Sequence, residues 1–78
     1  MDIKEKKISI VGAAKSGLAA ARTLYKGGAK IFISDIQPEE KLKATLIKED
    51  LLDKVSYEAG GNTDKVLGSD FIVLSPGV

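Results

Sequence analysis

The sequence predicts an α/β fold built on a parallel sheet. Short runs rich in Ile, Val and Phe recur along the chain, and they alternate with stretches whose apolar residues have helical spacing. A small-residue turn between Gly12 and Gly17 joins the first such run to the first helix. This alternation favours right-handed crossovers between neighbouring parallel strands. We therefore expect a Rossmann-like sheet with helices on both faces, in three layers.

The first predicted strand covers residues 7–11, whose dense β-branched side chains suit a central strand covered on both faces. A helix is predicted over residues 16–26, ended by Gly27 and Gly28. The second strand covers residues 30–34. A second helix follows Pro38, with acidic residues beside its positive end.

The later elements are shorter. A weak edge strand is predicted over residues 55–59 and a short helical turn over residues 63–67. The last strand, residues 70–74, is continuously apolar and is expected to be buried. Strand two should lie beside strand one, strand three outside it, and strand four on the far side of strand one. The carboxyl ends of strands one, two and four then meet at one edge, where open α/β sheets bind ligands.

Length and composition bound the possible functions. The 78 residues make one small domain, and because the chain stops directly after a strand we expect a fragment of a longer protein. A net charge of +1 argues against nucleic-acid binding. No segment has the length and apolarity of a signal peptide or a membrane span.

The residue types present favour binding over catalysis. The chain has no Cys and no His, which removes thiolate metal sites, disulfides and the commonest general base. The carboxylates are spread along the chain with no grouping that suggests a metal. We expect no catalytic residue in these 78 residues.

The turn at residues 12–17 is the first candidate site. It follows the dinucleotide pattern G-x-G-x-x-G from Gly12 to Gly17, except that Ala14 replaces the middle glycine. The first N–H groups of the following helix lack intrahelical partners and can bind a phosphate. Lys15 and Ser16 add a cation and a hydroxyl. Alternatively, the small residues only let the helix pack closely on the strand.

Two further candidates lie at the same edge. Asp35, about 18 residues after Gly17, stands where the pattern places an acid for a ribose hydroxyl, although it could instead form an Asx-type turn or a cap. Gln37 could join a base-binding pocket or be solvated. The backbone of Ser75, Pro76 and Gly77 could line the crevice or form a simple turn.

The turn at residues 12–17, the Ser34-Asp35 strand end and the run Leu-Ser-Pro-Gly-Val at residues 74–78 together resemble a known family. They are similar to the N-terminal domain of the Mur ligases, and within these to the D-glutamate-adding MurD ligases. The resemblance covers essentially the whole chain. The glycine turn alone is shared by many Rossmann domains, whereas its combination with Leu-Ser-Pro-Gly-Val is more specific.

The resemblance implies a cytoplasmic, monomeric ligase of peptidoglycan synthesis that acts on UDP-N-acetylmuramoyl-L-alanine and D-glutamate. ATP and Mg²⁺ would bind in a central domain, and this domain would need no cofactor. ATP would phosphorylate the substrate carboxylate, and the amine of D-glutamate would attack the acyl phosphate.

The resemblance also implies roles for individual residues. The backbone at Lys15 and Ser16 would face the diphosphate, Asp35 and the backbone of Ile36 would contact the uracil, and Gly77 would lie against the sugar. One departure is that Ile36 and Gln37 stand where some members carry a hydroxyl and an arginine.

Two other functions remain open from the residues alone. One is an NAD- or FAD-binding domain of an oxidoreductase, which Asp35 favours and Ala14 disfavours. The other is a regulatory domain of the same fold that binds no nucleotide. Fold alone does not separate the three.

Overall fold

The computed structural model describes residues 2–75. Its regular elements, in chain order, are β1 (Lys7–Val11), α1 (Lys15–Lys26), β2 (Lys30–Ser34), α2 (Glu39–Lys48), β3 (Ser56–Glu58), a 3-10 helix (Asp64–Gly68) and β4 (Phe71–Leu74). These bounds lie within two residues of the predicted ones at most ends. The predicted order of strands and helices is confirmed.

The four strands form one parallel sheet in the order β3-β2-β1-β4. Ile8 is paired with Ile31 of β2 and with Phe71 of β4, so β1 has a neighbour on each side. This order is the one predicted from the crossovers. It brings the ends of β1, β2 and β4 to the same edge.

One face of the sheet carries the apolar core. Side chains alternate between faces along a strand, so the register places Ile8, Ile10, Ile31 and Ile33 on the same face. They belong to a buried cluster that also contains Leu18 and Ala21 of α1, Leu42 and Leu46 of α2, and three residues of the connecting segments, Ala13, Ala29 and Leu51. Both α-helices therefore pack on this face.

The opposite face is more polar. Ser9, Phe32 and Ser34 lie on it by the same alternation, and the 3-10 helix approaches it through a hydroxyl contact between Ser9 and Ser69. Among residues 2–75, the third layer is thus this short 3-10 helix, and the Rossmann-like α/β prediction is confirmed.

The expectation that β4 is buried is wrong. Phe71, Ile72 and Leu74 are exposed. The reason is that β4 is an outer strand. Among residues 2–75 it pairs with β1 alone, and the described elements cover the middle of the sheet. Strand β3, predicted as an edge strand, does lie at the other edge.

Neither α1 nor α2 is long and apolar enough to cross a membrane, and no other helix among residues 2–75 is either.

Candidate functional site

The turn after β1 depends on two glycines. Gly12 has φ of 104°, a left-handed conformation that a residue with a side chain adopts only with strain. Gly17 lies where α1 crosses the strand: an added Cβ would overlap the carbonyl oxygen of Gly12 and come within 3.2 Å of Ile10 and of Ser75. Helix and strand can approach this closely only because residue 17 has no side chain.

The first turn of α1 is open to an anion. The helix begins at Lys15, and Ala14, at its N-cap, makes no side-chain hydrogen bond that would cap it. The N–H groups of Lys15, Ser16 and Gly17 therefore have no acceptor within the helix. Ala14, Lys15 and Ser16 are exposed, and no acid lies in this turn. Exposed N–H groups, the helix dipole and one lysine together favour a phosphate here.

Asp35 is buried directly behind this turn, with 7% of its surface exposed. Its Oδ2 accepts the N–H of Ala13 at 2.5 Å, and its Oδ1 accepts the N–H of Gln37 at 2.8 Å. The second bond is the Asx-type turn that the sequence allowed. The first bond joins the residue after β2 to the glycine turn, and nothing in the local sequence predicts it.

The segment from Asp35 to Gln37 is held from its other side by the loop after β3. The N–H of Gly60 donates to the carbonyl of Gln37 at 2.7 Å, and the N–H of Gly61 donates to the carbonyl of Asp35 at 3.2 Å. Ile36, between them, is 67% exposed. From the sequence, Gly60 and Gly61 had no assigned place in the site. Their place beside Asp35 could have been found from their position at the carboxyl end of a parallel strand.

The end of β4 closes the third side. Ser75 is buried, its N–H donates to the carbonyl of Val11 at 2.9 Å, and its hydroxyl is 2.9 Å from the hydroxyl of Ser16. The Ser16 hydroxyl, predicted to face an anion, thus has a protein partner. The two other residues predicted in this turn, Pro76 and Gly77, lie outside the described residues.

Glu58, at the end of β3, holds the loop that follows. Its carboxylate accepts the hydroxyl and the N–H of Thr63, at 2.6 and 3.0 Å, and the hydroxyl of Ser34 at 2.7 Å. These hydrogen bonds, those from Thr63 first, lower the pKa of Glu58 below its usual 4.5. Glu58 is therefore an ionised support for the loop that contacts Asp35.

The structure thus brings the predicted candidates among residues 2–75 to one edge of the sheet. The turn from Gly12 to Gly17, the segment from Asp35 to Gln37, and Ser75 are linked by the hydrogen bonds given above. A groove of about 370 Å³ lies elsewhere, around Ser9, Phe32 and Ser69 on the polar face. The edge is the candidate site because its open N–H groups have a defined ligand chemistry.

Within residues 2–75, no three Asp, Glu, His or Cys side chains lie close enough together to hold a metal ion. What this edge offers chemically is backbone N–H donors and one cation.

Solved structures show the same fold. The chain superimposes on SirC, a precorrin-2 dehydrogenase, with a TM-score of 0.71 and 15% identity, covering 100% of this chain and 38% of that one. It superimposes on the bacillithiol disulfide reductase Bdr (YpdA) from Staphylococcus aureus with a TM-score of 0.67 and 18% identity, covering 96% and 30%. Likeness at this identity establishes the fold and not the function.

Sequence comparison is more specific. The chain is 44% identical to UDP-N-acetylmuramoylalanine–D-glutamate ligases of Chlorobium limicola and of a Geobacter species, and 38% identical to that of Clostridioides difficile. Each match covers 100% of this chain but only 16% or 17% of the relative's length.

The model of the MurD N-terminal domain matches residues 7–78, which include every element of the sheet and every part of the candidate site. An oxidoreductase domain is not favoured by these matches. The chain belongs to the MurD N-terminal domain family.

Proposed function

We propose that this chain is the domain of a D-glutamate-adding ligase that binds the UDP part of UDP-N-acetylmuramoyl-L-alanine. The observation that carries the proposal is the uncapped first turn of α1, held against Asp35 and Ser75 at one sheet edge. The choice of a UDP-linked ligand comes from the family, because the relatives are named as ligases of UDP-N-acetylmuramoylalanine and D-glutamate.

The diphosphate would lie against the N–H groups at the start of α1. Ala14 carries a methyl where the dinucleotide pattern has glycine, but the N–H groups of Lys15, Ser16 and Gly17 point outward from the helix. The side chain of Lys15 is exposed at this end and adds a positive charge. These groups bind a diphosphate without a metal ligand from this domain.

The uracil would lie against the segment after β2. Asp35 fixes this segment, and the exposed Ile36 offers an apolar surface and its backbone groups. Gln37 is half-buried beside it. In this proposal the residues Ser75, Pro76 and Gly77 would contact the sugar.

The chemistry of the whole protein would take place outside this chain. ATP and Mg²⁺ supply the activation of the substrate carboxylate when they are bound, and D-glutamate supplies the amine. We assign the binding of ATP and Mg²⁺ to other parts of the protein, as the family resemblance implies. Fixing the UDP end here would reduce the orientational freedom of the distant carboxylate and so favour the reaction.

The remaining properties follow from the same family. We propose a monomeric enzyme of the cytoplasm with no nucleic-acid or membrane partner, and the near-zero net charge of the chain agrees with this.

Titration of the ¹⁵N-labelled chain with UDP and with NAD tests the proposal. We expect UDP to shift the amide resonances of Lys15, Ser16 and Ile36 at concentrations at which NAD does not. Lys15→Gln should weaken UDP binding about twofold to fivefold, since one exposed charge near an anion contributes modestly.

The matched control is Lys26→Gln, which removes the same charge from the last turn of the same helix. Its UDP affinity should equal that of the unchanged chain. Shifts at the turn with NAD and not with UDP would contradict the proposal.

A further inference from the structure

Asp35 has an unusual position for a ligand contact. It is 7% exposed, and each of its two carboxylate oxygens accepts a backbone N–H from a different loop. Ala13, 22 residues earlier, belongs to the turn that precedes α1, and Gln37 belongs to the segment after β2. The carboxylate is therefore a bridge between the two loops.

The two loops that the Asp35 carboxylate joins are the ones proposed to bind the two ends of a nucleoside diphosphate. The turn before α1 would bind the diphosphate, and the segment after β2 would bind the base. The Ala13 N–H is one residue from the exposed start of the anion-binding turn, and this N–H is used within the protein. A second bond, from the N–H of Gly12 to the carbonyl of Ser34 at 2.8 Å, supports the same junction. A movement of Asp35 would displace both ends together.

We propose that Asp35 is a positioning residue that sets the phosphate turn and the base-binding segment in their relative places, acting through the Ala13 and Gln37 N–H groups. This inference rests on the proposed function, because it assumes a ligand that spans both loops. It differs from a direct hydrogen bond between the Asp35 carboxylate and the base, which the family resemblance implies.

Asp35→Asn separates these roles. The variant has the same shape, but an amide has one acceptor oxygen and one NH₂ group, so it cannot accept both N–H groups. It also removes a negative charge close to the turn. If charge alone mattered, anion binding would become tighter in the variant. The positioning role predicts that the variant binds anions more weakly.

The experiment measures binding of UDP, uridine and inorganic pyrophosphate to the chain and its variants, from amide resonances. Pyrophosphate has no base, so a direct base contact does not influence it. We expect Asp35→Asn to lower the affinity for both pyrophosphate and UDP at least about fivefold. Hydrogen exchange of the Ala13 or Gln37 amide should become faster without ligand.

Asp70→Asn is the matched control. The Asp70 carboxylate also accepts a backbone N–H, that of Lys7 at 2.8 Å, but at the opposite end of the sheet. Its three affinities should stay within about twofold of those of the unchanged chain. If Asp35→Asn fails to fold, Asp35→Glu replaces it. Glutamate keeps the charge and displaces the two oxygens, so the positioning role predicts the same loss of pyrophosphate binding.

Three results would overturn the inference. If the variant binds uridine and UDP more weakly but pyrophosphate equally well, Asp35 is a direct base contact. If pyrophosphate binds more tightly, only the charge of Asp35 matters. Both results leave the proposed function intact. An unchanged chain that binds neither UDP nor pyrophosphate at the turn overturns the proposed function, and the positioning role is then overturned with it.

Discussion

Gly17 shows how one hydrogen atom in place of a side chain sets the geometry of the candidate site. A Cβ added here would meet the Gly12 carbonyl, Ile10 of β1 and Ser75, which directly follows β4. The N–H groups of α1 point at a ligand position only while the helix stays this close to the sheet. The packing role and the binding role of the small residues, which the sequence analysis treated as alternatives, are thus compatible.

Gly17→Ala should destabilise the domain by about 1–3 kcal/mol, because the new methyl overlaps a backbone carbonyl that cannot move aside. The helix propensity of alanine opposes this by no more than about 1 kcal/mol. Urea denaturation followed by circular dichroism measures the difference. Gly68→Ala, whose Cβ would have no neighbour within 4 Å, should change stability by less than about 0.5 kcal/mol. Equal losses in the two variants would show that the close approach at Gly17 is not tight.

Strand β3 and the loop after it form an element whose strength depends on one carboxylate. Strand β3 has only three residues and one neighbouring strand, so few ladder bonds hold it. Glu58 adds three hydrogen bonds to Thr63 and Ser34. Gly60 and Gly61 lie between Glu58 and Thr63 in the sequence, and their N–H groups donate to the segment from Asp35 to Gln37. The Glu58 carboxylate therefore also supports that segment.

Acid should weaken this element. The pKa of Glu58 is lowered in the folded chain, so its contribution to stability is complete above the ordinary value of 4.5 and is lost as the pH falls through the lower folded value. Glu58→Gln should therefore melt at a lower temperature than the unchanged chain at pH 6, and the gap should narrow as the pH falls below 4.5. Thermal melts between pH 7 and pH 3 measure it.

The control for this pH series is Glu40→Gln, on the exposed side of α2. Glu40 is exposed in the first turn of α2 and contributes only a small interaction with the helix dipole. The melting temperature of this variant should therefore stay closer to that of the unchanged chain than that of Glu58→Gln does at pH 6. A gap between Glu58→Gln and the unchanged chain that stays constant down to pH 3 would contradict ionisation of Glu58 as the cause.

At the scale of the whole molecule, one apolar cluster holds both helices to the sheet. A domain of 78 residues buries a modest fraction of its surface, so its stability is expected near the low end of the usual range of about 5–15 kcal/mol. Damage at any point of the cluster should therefore weaken the whole domain and not only the nearest element.

Leu46→Ala should cost about 2–5 kcal/mol, because Leu46 is fully buried between α2 and the sheet. Circular dichroism and tyrosine fluorescence should report the same lowered transition, as expected for two-state unfolding. Ile47→Ala, the next residue on the same helix but 58% exposed, should change stability by less than about 0.5 kcal/mol. Separate transitions for the two probes would show that α2 unfolds independently.

The sequence by itself determined the order of the elements, the parallel sheet and the turn before α1. Apolar spacing records which side of a helix or strand is buried, and right-handed crossovers then leave few possible strand orders. Gly12 and Gly17 were also identifiable, because a glycine-bounded turn between a strand and a helix is a recognisable sequence pattern.

Only the tertiary structure decided what Asp35 binds and which strand is covered. The Asp35 carboxylate accepts a hydrogen bond from the N–H of Ala13, 22 residues away in the sequence. The residues around Asp35 do not predict that partner. The apolar composition of β4 predicted burial, yet Ile72 and Leu74 are exposed. Composition states what a strand can bury, whereas the positions of the packed elements determine what it does bury.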